Sequence, residues 1–173
     1  MKINWKHLQN QAINDLDDNH SLGSNAYVIR AYEIVLGEDF FRSAVDHYLS
    51  GDDAGVFARH MLSEVRSFIA MDYCYEIYQL SKDVNRKSSA LELLRWIANE
   101  KVLDWIPEFL YHSESDIQNC AILIIDQMMF KQIISYDDML PIIQQALNHP
   151  RNYIREKIKD FIESGDVEIQ LDK

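Results

Sequence analysis

Along DIQNCAILIIDQMMFK the apolar residues Ile117, Ala121, Ile124, Ile125, Met128 and Met129 recur at steps of three and four, so they form one stripe of a helix. The segment before it, SSALELLRWIANE, carries Ala90, Leu91, Leu94, Ile97 and Ala98 at the same spacing, with Ser89 and Glu92 placed as a capping box. KVLDWIPEFLYH aligns Val102, Leu103, Ile106, Phe109 and Leu110, with Pro107 near enough to the start to bend the helix without preventing it. DDMLPIIQQALNH and RNYIREKIKDFIES, the latter closed by Gly165, complete the C-terminal half. WKHLQNQAINDL, SNAYVIRAYEIVL, EDFFRSAVDHYLS, a long DAGVFARHMLSEVRSFIA and MDYCYEIYQLS make up the N-terminal half. The pattern predicts ten helices in five pairs, antiparallel because the loops between them are short. They form a single all-α domain over 1–164, and the tail 165–173, GDVEIQLDK, reads as a free or docked end rather than a strand.

The helices also repeat. Leu147 and Ile154 flank the polar break of LNHPRNYIREKI, and Leu110 with Ile117, then Leu49 with Val56, flank breaks of the same length. Laying Leu103 over Leu140 places Ile106 on Ile143, Phe109 on Ala146, Ile117 on Ile154, Ala121 on Ile158 and Ile125 on Ile162, an offset of 37 residues. A two-helix unit of this size cannot bury its apolar face alone and must stack on its neighbours. Pro150 ends the first helix of the last unit, Ile154 restarts the buried stripe, and Arg155 falls off that stripe in a structural role.

These residues carry a family resemblance. LPIIQQALNHPRNYIREKI resembles a HEAT repeat, with Leu140-Pro141 in the first helix, Asn148 in the turn and Ile154-Arg155 where the family has a Val-Arg pair. LDWIPEFLYHSESDIQNCAI is similar, with Asp104 in place of the proline and Gln118 in place of the arginine. In the earlier unit Val56 holds the apolar position and Phe57 replaces the arginine. The resemblance implies a HEAT-like α-solenoid of about five antiparallel helix pairs, in which the second helix of each pair lines a concave binding side.

Composition sharpens the class. The chain is 47% hydrophobic and 26% charged, and its five Gly and three Pro are too few to punctuate an all-β protein. No stretch reaches the roughly 20 apolar residues of a membrane span, and the first residues lack the apolar core of a secretory signal, so a cytoplasmic chain is expected. Cys74 and Cys120 lie among apolar or aromatic neighbours and read as small buried thiols. The formal charge of -11 is spread over both halves and repels phosphate backbones, which disfavours direct nucleic-acid binding and steers basic proteins toward the surface.

Candidate chemistry is sparse. The chain has no Gly-rich phosphate loop, no Cys-x-x-Cys and no His-Glu-x-x-His. Its histidines, His7, His20, His47, His60, His112 and His149, nowhere share a helical turn at ligand spacing. Asp46 and His47 are adjacent, and neighbouring side chains on a helix diverge by about 100°. Asp52-Asp53, Glu114-Asp116 and Asp137-Asp138 fall where carboxylates cap helix starts. No catalytic residue, cofactor or metal site is expected.

The reading is therefore a non-catalytic protein-binding module. On the solenoid picture its partner-binding candidates are Arg59, Glu64, Arg95, Asp126, Gln127, Glu156 and Asp160, while Trp96, Trp105, Tyr73, Tyr75 and Tyr78 belong mostly to the core. Short acidic helical-repeat chains are similar in kind to some bacterial immunity proteins, which implies a basic toxin or nuclease domain as partner. A scaffold or regulatory adaptor remains open, as does a HEAT-like enzyme or a cofactor-attachment helper of the phycobilin lyase kind. The fold resemblance would also admit a helical-repeat DNA glycosylase, which the charge opposes.

Overall fold

The stripe of Ile117, Ala121, Ile124, Ile125 and Met128 lies on α8, Ser115–Phe130, and all five side chains are fully buried. Each of the isoleucines and Met128 removed from water contributes about 1.5–3 kcal/mol, which holds α8 at the centre of the fold. The computed structural model describes residues 3–14 and 26–163. Among these it holds ten α-helices and a 3-10 turn, and no strand. The tail 165–173 and the far ends of the first two predicted helices lie outside the described residues.

The helices are α1, Trp5–Asn14; α2, Ala26–Leu36; α3, Glu38–Leu49; α4, Gly55–Val65; α5, Phe68–Leu80; and α6, Val84–Ile97. The 3-10 turn Glu100–Asp104 follows, then α7, Ile106–Leu110, α8, α9, Tyr136–Leu147, and α10, Asn152–Glu163. Consecutive elements pack as α1 on α2, α3 on α4, α5 on α6, α7 on α8 and α9 on α10. Across these pairings α4 touches α6, α6 touches α8 and α8 touches α10, while α3 touches α5 and α7 touches α9. One apolar core runs from Phe41 and Val45 on α3 to Ile154, Ile158 and Phe161 on α10.

Four local expectations are corrected. The long helix expected through residue 70 breaks at Arg66, whose left-handed backbone (φ 52°) ends α4 with its N–H on the Leu62 carbonyl. Ser67 then caps α5 by accepting the Ala70 N–H. The helix expected from Ser88 begins at Val84 instead, capped by the Asp83 carboxylate on the Asn85 N–H, so Ser89 and Glu92 are interior positions. Pro107 does more than bend its helix: its ring would meet the carbonyl of Leu103, so the chain runs as a 3-10 turn and restarts as α7 with Pro107 in its first turn. Val56 is not the counterpart of the fully buried Ile117 and Ile154, for it is 54% exposed. Gly55 faces α3 there, and a Cβ on it would lie 3.3 Å from the Tyr48 carbonyl.

The offset of 37 residues is borne out at the turns of the last two pairs. His112 Nδ1 accepts the Glu114 N–H at 3.1 Å, and His149 Nδ1 accepts the Arg151 N–H at 3.2 Å. Gln118 Nε2 donates to the His112 carbonyl at 2.8 Å, and Arg155 donates to the His149 carbonyl at 2.6 Å. Gln118 and Arg155 thus make matching bonds at the two turns, and Arg155 also donates to the Pro150 carbonyl, beyond the end of α9. Arg151 ties the two turns together, donating to Gln118 Oε1 and to the Ser113 carbonyl, each at 2.7 Å.

Glu33 is a second tie between segments. Its side chain, on α2, is buried and accepts from Ser67 Oγ at 2.7 Å and from the Ile69 N–H at 2.9 Å, and it pairs with Arg30 at 3.2 Å. A buried carboxylate with three donors is satisfied, so α2 is latched to the first turn of α5.

Candidate functional site

Trp96 sits half-buried on the outer side of α6, and three cations, from α4, α6 and the end of α8, converge on it. The Arg59 guanidinium from α4 lies 4.8 Å from the ring centroid, that of Arg95 lies 5.0 Å away, and the Lys131 ammonium at the end of α8 lies 5.5 Å away. The contacts α4 to α6 and α6 to α8 set this up, because residues facing outward beside those seams share one surface. Glu92, one turn before Trp96, accepts from the indole Nε1–H and from Arg95, both at 3.3 Å, and so orients ring and guanidinium together.

The electrostatics are lopsided. Burial lowers the Lys131 pKa below the ordinary lysine value, the nearby Arg66 and Arg95 lower it further, and Glu64 opposes them. Tyr48 is raised, first by burial and then by Glu92, with Arg59 acting the other way. In a chain of net charge -11 this is a local concentration of positive charge on an aromatic platform. Each exposed cation–π contact contributes about 0.5–1 kcal/mol, enough to hold the side chains in register.

Of the expected contact residues, Arg59 and Arg95 lie on the platform and the exposed Glu64 stands within the field of Lys131. Gln127 does not face solvent as expected: it is 7% exposed, because its position on α8 turns it inward beside Ile124 and Met128. Asp126 is half-buried on α8, and Glu156 and Asp160 are exposed on α10, where Glu156 accepts from Asn152. None of these three bonds to the platform. Lys131 was not singled out by sequence reasoning, since a lysine ending a helix is ordinary and only the packing brings it over Trp96.

The other aromatics expected in the core, Trp105, Tyr73, Tyr75 and Tyr78, contact groups within the fold. Tyr75 stacks on Trp105 with centroids 4.4 Å apart and donates its hydroxyl to Glu108, while Tyr78 is buried with its ring edge-on to Phe109. Tyr73 donates to Asp46, which also pairs with Arg86, whereas His47 reaches Asp52 at 3.2 Å, so Asp46 and His47 serve different partners. Asp52 accepts the N–H groups of Ala54 and Gly55 at the start of α4, and Ser135 with Asp138 caps α9. Both thiols are buried and free; burial raises Cys74 far above its ordinary value and pushes Cys120 up to about 11, where Glu92 also raises it. Among the described residues no group of three His, Cys, Asp or Glu is placed to share a metal ion, and no helix is long and apolar enough to cross a membrane. No protein-family model matches the chain, and comparisons with curated proteins and with solved structures find no match either.

Proposed function

We propose that the chain is a non-catalytic protein-binding module, a HEAT-like α-solenoid whose α4, α6, α8 and α10 form the binding side. The observation that carries this reading is the convergence of Arg59, Arg95 and Lys131 on Trp96. Tryptophan and arginine are the residues most enriched at energetic centres of interfaces, and here they are held in place by Glu92 before any partner arrives. The succession of helix contacts and the matching turns of the last two pairs support the solenoid part.

In its specific form the module is an immunity protein that binds and neutralises a toxin domain. The net charge of -11 steers a basic partner on approach. The Trp96 platform then anchors it, the arginines donating to carbonyls and carboxylates on the partner and the indole supplying apolar area. The test is affinity capture from native extract at low and high salt, with wild type beside Trp96→Ala and Arg59→Glu. One basic protein recovered at near-equal stoichiometry, weakened by salt and lost in both variants, supports the reading, and loss of that protein's toxicity on binding supports the immunity form. Capture that is indifferent to both substitutions removes the platform from the interface.

A further inference from the structure

We propose that the cleft bounded by Arg66, Asn99 and Lys131 binds an oxyanion, a carboxylate or phosphate group, borne either by a small molecule or by an acidic side chain of a bound protein. The cleft, about 890 Å³, lies where the α4–α5, α6–3-10 and α8–α9 turns meet under α2. That volume is within the range of small-molecule sites.

One of its polar lining residues carries an unanswered donor. Asn99 is 7% exposed, and its Oδ1 is used in accepting the Lys101 N–H at 3.0 Å, but its Nδ2 is buried without a hydrogen-bond partner. A buried donor left unmet is rare enough in folded proteins to call for an acceptor. Two cations line the same cleft. Arg66 stands at the αL position that ends α4, Lys131 follows the last turn of α8, and neither makes an ion pair with a described residue. Two carboxylates, Glu64 and Glu100, also line the cleft, and Glu64 opposes the lowering of Lys131 by Arg66 and Arg95. An oxyanion seated here would accept from the Asn99 amide and relieve the repulsion between the cations. Tyr32 and Ile133 on the walls would receive an apolar part of the same ligand.

This site is separable from the Trp96 platform through residues that only the cleft uses. Arg66→Gly removes the guanidinium while suiting the left-handed backbone, and Asn99→Asp keeps the Oδ1 acceptor while replacing the donor with a negative charge. The experiment titrates the full chain, labelled with nitrogen-15, with sodium phosphate, sodium acetate and a blocked glutamyl tripeptide, against sodium chloride at matched ionic strength. Saturable shifts of the Asn99 side-chain amide and the Arg66 and Lys131 N–H signals are expected with an oxyanion. Each variant, folded by circular dichroism, is expected to weaken binding about tenfold, equivalent to about 1.4 kcal/mol. Tighter binding of phosphate or acetate assigns the site to a small molecule, and tighter binding of the peptide assigns it to a partner's side chain. Shifts equal to those in chloride, an absence of saturation, or unchanged affinity in both variants would overturn the proposal.

Discussion

Glu33→Ala is expected to be among the most damaging single substitutions on α2. The carboxylate is 2% exposed and accepts from Ser67 Oγ and the Ile69 N–H while pairing with Arg30. Truncation leaves two donors at the α4–α5 turn without their acceptor, and a buried orphan donor costs about 1–3 kcal/mol. It also removes the negative partner of Arg30, and breaking a buried pair from one side typically costs about 3–5 kcal/mol in all. The Arg30 side chain keeps a further interaction and is one-third exposed, so the low end of that range, about 3 kcal/mol, is expected. Against a total stability of about 5–15 kcal/mol for a domain this is a large fraction. Glu33→Gln keeps one oxygen to accept from Ser67 and Ile69 but turns an amide NH2 toward Arg30 and loses the ion pair, so it is expected to cost about half as much. Urea unfolding followed by far-UV circular dichroism measures both, and hydrogen exchange at Ile69 and Ala70 locates the damage. A cost within about 0.5 kcal/mol for Glu33→Ala, as for an ordinary surface change, would refute the latch.

Two further outcomes follow from the turns. Burial is the largest cause that lowers the His149 pKa, and its Nδ1 already accepts the Arg151 N–H, so the fold favours the neutral ring. The folded value lies below the unfolded value of about 6.5, so this contribution is fully present above that pH and is lost as pH falls through it toward the folded pKa. Urea midpoints at pH 8 and pH 5 should therefore differ more in wild type than in His149→Gln, and equal differences would refute the assignment. Arg155→Ala removes donors to the His149 and Pro150 carbonyls and is expected to cost about 1.5–3 kcal/mol. Arg155→Gln should cost less, because Gln118 already makes the equivalent bond one repeat earlier; equal losses by thermal unfolding would sink the equivalence.

The helical class, the stripes of α8, α9 and α10 and the offset between the last two pairs were legible in the chain, because apolar spacing records which side of a helix meets the core. The turn chemistry was partly legible: Gln118 was recognisable as aligned with Arg155 at the 37-residue offset, though not as making the same bond. The break at Arg66-Ser67 left no Gly or Pro to mark it, and apolar spacing ran straight across it. It exists because the buried Glu33 and the Ala70 N–H both use Ser67, a demand made by another helix. The start of α6 was hidden for a related reason, since after Val84 its first turn runs through Asn85, Arg86 and Lys87 and one apolar residue makes no stripe.

The candidate sites belong to tertiary structure throughout. Arg59, Trp96 and Lys131 are far apart in sequence and meet because α4, α6 and α8 pack side by side. Gln127 shows the converse: its polar side chain suggested solvent, but its angular position on α8 placed it inside. Local periodicity dictates how each segment folds and which face it buries. Which charges share a surface, and which donors are left waiting in a cleft, depends on the rotation and offset of one helix against the next, and no single segment encodes these.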